Sequence, residues 1–133
     1  VKVRGGSWVA LVVAIFGCGG DSIAWEYRFE PVALRDAARV IEARVRQGGC
    51  AGEELAAYRF APGERSAVAP APLEDGRYGL EIEARDEACR WFARGCAEVE
   101  VPSDVRVVQV VVSASTEREA CPGACEAGVC AGE

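Results

Sequence analysis

The 133-residue chain carries 15 basic and 21 acidic residues and no histidine, a formal charge of −6. Its 14 arginines and Lys2 are interspersed with carboxylates, so no clustered basic face exists for nucleic acid. Without histidine, Ser–His and Cys–His nucleophile systems are excluded.

Residues 1–17 have the form of a secretory leader. Lys2 and Arg4 make a basic start, and the apolar run from Trp8 to Phe16 is too short to span a membrane, which takes about 20 residues. Ile15-Phe16-Gly17-Cys18 resembles the lipobox of bacterial lipoproteins, although Phe16 departs from the smaller residue usual two places before the cysteine. The resemblance implies cleavage before Cys18, a diacylglyceryl group on its thiol and acylation of the new amino terminus. Loss of residues 1–17 leaves 116 residues, one domain's worth, with a formal charge of −8. Residues 18–22 are then a lipidated leash. Gly19 at the second mature position is compatible with the outer membrane rather than the inner one.

Residues 23–114 carry the strand pattern. From Ile23 to Phe29, Ile23, Trp25, Tyr27 and Phe29 alternate with Ala24, Glu26 and Arg28, predicting a half-buried strand. Pro31 to Gln47 is ambiguous. Leu34, Ala38, Ile41 and Val45 fit a helix, but β-branched residues and Gly48-Gly49 favour a turn at 32–37 and a strand at 39–46. Glu54 to Phe60 is a short strand, and proline-rich 61–72 is a surface loop or irregular edge strand. After the Glu74-Asp75-Gly76 turn, Tyr78, Leu80, Ile82 and Ala84 alternate with Gly79, Glu81, Glu83 and Arg85 in the clearest strand. Asp86 to Gly95 is expected to connect it to a strand at Ala97–Val101. Val105 to Ser113, apolar on both faces, is expected to be central or covered. Residues 115–133 form a cysteine-rich tail.

The fold class expected is all-β: an antiparallel β-sandwich, disulfide-stabilised. Asp75-Gly76-Arg77-Tyr78-Gly79 ahead of an alternating strand is similar to immunoglobulin-like and transthyretin-like modules of bacterial envelope proteins. That likeness is one of fold and transfers no functional residue.

Apart from Cys18, the six cysteines Cys50, Cys89, Cys96, Cys121, Cys125 and Cys130 are an even set, as in a disulfide framework of an exported domain. Their 15 possible pairings are not separable by sequence, but Cys89–Cys96 is the favoured loop closure, with one bridge inside the tail and one pinning it to Cys50. A zinc reading of the tail thiols, with Cys50 as fourth ligand, suits an oxidising compartment poorly, and no Cys-x-x-Cys redox motif exists. No calcium loop is present, so no cofactor or metal is implied.

Paired carboxylates Glu81/Glu83 and Glu98/Glu100 alternate with apolar residues and are expected to face solvent, away from the apolar cleft that acid–base catalysis needs. Glu42/Arg44 and Glu83/Arg85/Asp86 read likewise as a mixed solvated surface. No catalytic residue is therefore assigned. One recognition feature stands out: Trp91-Phe92, flanked by Arg90 and Arg94 in the 89–96 connection, offers rings and guanidiniums to a glycan or a protein, the alternative being a ring that plugs the sandwich. The expectation is a non-enzymatic envelope lipoprotein, held by a lipid anchor on the periplasmic or outer face of a bacterial membrane. Its domain serves either as a binding module or as an assembly component for other envelope proteins.

Overall fold

The computed structural model describes residues 22–65 and 67–133. The expected leader, Cys18 and the leash up to Asp21 lie outside the described residues. The chain runs β1 (Ala24–Phe29), a one-turn helix α1 (Leu34–Ala37), β2 (Val40–Gln47), β3 (Glu53–Phe60), β4 (Ala67–Val68), β5 (Gly76–Arg85), β6 (Arg90–Val101), β7 (Val107–Glu119), β8 (Cys125–Glu126) and β9 (Val129–Cys130). The ambiguous stretch thus resolves to a turn, containing α1, and then a strand. The proline-rich loop contributes β4, a two-residue edge strand on β1.

Seven strands make one sheet in the order β3-β2-β5-β6-β7-β1-β4, and β8-β9 is a separate hairpin. The sheet is mixed, not antiparallel throughout as expected. β1 and β7 pair in parallel from Ala24↔Val107 to Phe29↔Val112, while its other neighbouring strands pair antiparallel. Parallel neighbours need a long crossover, and here all of β2 to β6 supplies it, a relation no local pattern encodes.

The sheet curls until its ends meet. Four strands separate β1 from β3 in the sheet order, yet Trp25 stacks edge-on against Tyr58 at 6.4 Å and Tyr27 lies 6.0 Å from Phe60. The enclosed core holds Ile23, Trp25 and Phe29 from the first alternating stripe, Ile41, Ala43 and Val45 from β2, and Leu80, Ile82 and Ala84 from β5. Val110 and Val112 complete it from β7. β7 is central, between β6 and β1, but only one of its faces is covered: Val107 and Val111 stay exposed. It also continues through residue 114 to Glu119, where Arg118 pairs with Trp91.

The 86–95 connection contracts to a turn. β6 begins at Arg90, so Trp91 and Phe92 lie in a strand and not in a loop. The backbone N–H of Arg90 donates to Asp86 Oδ1 at 2.9 Å, and Cys89 closes the turn at φ 56°. An extended strand places Cys89 and Cys96 about 20 Å apart, far beyond the reach of about 7 Å for a disulfide. The favoured Cys89–Cys96 bridge is thereby overturned. The bridges are Cys50–Cys96, Cys89–Cys125 and Cys121–Cys130. The bridge inside the tail forms as expected, but the tail is pinned to Cys89 and not to Cys50. Gly79 makes the first of these possible: a Cβ there would lie 2.7 Å from the Cys50 backbone, so only glycine lets the β2–β3 turn settle across β5.

Candidate functional site

Across β2 and β5 the outer face of the sheet is charged and buried. Glu81 is 0% exposed, Glu83 3%, Glu42 6% and Arg85 1%. The expectation that Glu81 and Glu83 face solvent, and that Glu42/Arg44 and Glu83/Arg85 form a solvated surface, is therefore wrong. Period-two alternation does set these side chains opposite the apolar core, but the long arginines of neighbouring strands fold over them, aliphatic stems included. Glu98 and Glu100, nearer the strand end, are exposed as expected.

Register explains the pairing. β2 places Arg44 opposite Glu81 of β5, β3 places Arg59 opposite Glu42, and β6 places Arg94 opposite Glu83. Glu81 accepts from Arg44 at 3.1 Å, Arg46 at 3.0 Å and Arg94 at 2.7 Å. Glu83 accepts from Arg44 at 2.6 Å and from Arg118, and Glu42 from Arg59 at 2.7 Å while pairing with Arg44. Glu133 receives Arg85 at 2.7 Å and Arg59 at 2.6 Å, which ties the tail to the sheet. Buried ions persist only when paired in this way.

These contacts fix protonation. Burial pushes Glu81 up, but its three guanidinium donors outweigh it and hold the carboxyl below its ordinary value. For Arg44, burial is opposed by Glu42, Glu81 and Glu83, and the net shift is upward. The hydrogen bond from Arg85 leads in holding Glu133 down to about 2. A carboxylate kept ionised by three arginines is a poor proton donor, so Glu81 is ill suited to act as a general acid.

Trp91 sits at its centre. The β5–β6 register steps from Ala84↔Ala93 to Arg85↔Trp91, leaving Phe92 as the extra residue of a bulge. The bulge puts Phe92 in the apolar core and Trp91 on the charged face. The indole is 6% exposed, with the guanidinium carbons of Arg85, Arg44 and Arg118 at 5.2, 5.7 and 5.8 Å from its centroid. Arg94 is engaged with Glu81, and Arg90 pairs with Glu117 at 3.3 Å. Neither ring of the expected recognition feature is presented to a ligand.

A cavity of about 270 Å³ lies elsewhere, at the end of β1. Tyr27 and Phe29 give it an aromatic wall, Val32 and Gly63 form part of its rim, and Arg35 and Arg65 line it. The Tyr27 hydroxyl donates to the Arg65 carbonyl at 2.6 Å, which fixes the 62–65 turn against β1. Burial raises the Tyr27 phenol above its usual value, with the charge of Arg35 acting against it. Sequence reasoning missed this site because its parts come from three separate stretches. The available signal was the exposed Val32 beside Arg35 in a turn, too local to reveal a wall made by β1.

Cys89, Cys121 and Cys130 bring their sulfurs within 4.8 Å of one another. All three are committed to disulfides, so a metal would first require reduction.

No protein-family description, curated protein or solved structure matches the chain.

Proposed function

We propose that the chain is a non-enzymatic cell-envelope lipoprotein, anchored through acyl groups on Cys18, whose curled sheet is a small β-sandwich of the immunoglobulin-like or transthyretin-like kind serving as a binding module. The observation that carries this reading is cysteine arithmetic. Three disulfides consume six of the seven cysteines, as in an oxidising compartment, and the one left over is the lipobox-like Cys18. Two or more acyl chains anchor stably where one gives only marginal binding. Residues 19–22 span at most about 14 Å, so the domain sits close to the bilayer. β1 runs about 17 Å from its leash end to Phe29, so the cavity lies at the end of the strand opposite the leash. The binding role is assigned to this cavity, since Trp91 and Phe92 are covered. Membrane fractionation of cells expressing the chain and its Cys18→Ala variant tests the anchor: the variant leaves the membrane fraction, and unchanged association contradicts the proposal.

A further inference from the structure

Most arginines among the described residues, Arg28, Arg44 and Arg59 among them, stand in ion pairs with carboxylates. Arg35 and Arg65 do not; both line the cavity at the end of β1, and the Arg65 guanidinium also lies 5.9 Å from the centroid of the Phe60 ring. In a chain with 21 acidic residues this is not for want of carboxylates. Arg28, which also lines the cavity, pairs with Glu30 at 3.5 Å, and the exposed Glu64 accepts from the Ala61 backbone N–H at 2.8 Å. The remaining cavity wall is apolar and aromatic: Tyr27 and Phe29 stand edge to face at 6.1 Å, and Val32 is 75% exposed at the rim. Gly63 keeps space open beside Arg35, since a Cβ there would lie 3.3 Å from the guanidinium.

From two guanidiniums without carboxylate partners on an aromatic cavity of about 270 Å³, we infer that this site binds a small monocarboxylate with an apolar, ring-sized body. The carboxylate takes the place that protein carboxylates fill for the other arginines, and planar guanidinium groups suit it through paired N–H donors. The apolar body lies against Tyr27 and Phe29 and covers Val32. The volume falls at the lower limit for small-molecule sites, which excludes large ligands. This inference names the ligand for the binding role proposed above but is independent of the lipid anchor, so failure of lipidation leaves it standing.

Isothermal titration of the purified full chain with phenylacetate tests it, with phenethylammonium as a cationic match of similar shape. Saturable phenylacetate binding is expected, weakened about tenfold or more in Arg35→Gln and in Arg65→Gln, as loss of a charge-assisted hydrogen bond implies. Val32→Glu, which sets a competing carboxylate at the rim, is expected to weaken it as well. Arg77→Gln, remote from the cavity, is expected to bind normally. Near-UV circular dichroism of each variant checks the fold, and all four substituted positions are exposed. Absence of saturable heat with the unsubstituted chain at millimolar ligand overturns the inference. So does equal binding of phenethylammonium, or binding that survives both arginine substitutions.

Discussion

The guanidinium of Arg85 lies 5.2 Å from the centroid of the Trp91 ring and reaches past it to the Glu133 carboxylate at 2.7 Å. One fully buried cation therefore joins the strand bulge of β6 to the tail. Trp91→Ala removes the ring that three guanidiniums share and leaves a cavity beneath them. A loss of about 3 kcal/mol in urea unfolding is expected, with Trp91→Phe closer to wild type. Cavity ligand binding is expected to be unchanged in Trp91→Phe, which separates this residue's structural role from recognition.

Glu81→Ala removes the fully buried carboxylate shared by Arg44, Arg46 and Arg94 and leaves Arg44 with Glu42 and Glu83. Breaking one member of a buried charge network costs about 3–5 kcal/mol, whereas an exposed, solvent-screened pair contributes far less. Chemical denaturation of Glu81→Ala beside Glu98→Ala, whose pair with Arg77 is exposed, reads the difference. Equal effects would show that the charged face is solvated in practice.

Acid should weaken the fold in a defined window. Glu81 and Glu133 both have folded pKa values below the ordinary 4.5, Glu133 at about 2. Groups depressed in this way contribute stability that is fully present above the unfolded pKa. That contribution is lost as pH falls from about 4.5 through the folded value. Thermal unfolding between pH 5 and about 2 is expected to show a falling Tm, and Glu133→Gln to flatten part of that slope.

Disulfide pairing is open to direct mapping. Trypsin without reduction is expected to release 47–59 joined to 95–106, and 86–90 joined to 119–133, as Cys50–Cys96 and Cys89–Cys125 require. A fragment joining 86–90 to 95–106 would contradict the strand geometry of β6. By chain entropy the two long-range bridges contribute about 4 kcal/mol each and Cys121–Cys130 about 2.5 kcal/mol. The double substitution Cys89→Ala with Cys125→Ala is accordingly expected to loosen the tail to proteases.

The inward residues of β1, β2 and β5 were legible because period-two alternation of Trp25, Ile41, Leu80 and their neighbours reports directly on which face meets the core. The opposite face was misread because alternation separates faces without saying what covers each. Glu42-x-Arg44-x-Arg46 and Glu81-x-Glu83-x-Arg85 look solvated one strand at a time. Their burial emerges only when strand register puts unlike charges side by side. Trp91 was misplaced for a related reason: the bulge at Phe92 depends on how β5 meets β6, and the turn before it is tighter than its ten-residue stretch suggested. The parallel β1–β7 pairing and the Cys50–Cys96 bridge are relations across most of the chain. The cavity was not legible, because it is assembled from stretches that no local pattern joins.

The central claim, that Cys18 is a lipidated first residue of an oxidised envelope domain, is tested most directly by intact mass from isolated membranes, before and after reduction. The account predicts a polypeptide beginning at Cys18, carrying acyl mass, that gains six hydrogens on reduction of its three disulfides. A polypeptide that retains residues 1–17, lacks acyl mass or carries free thiols before reduction would contradict it.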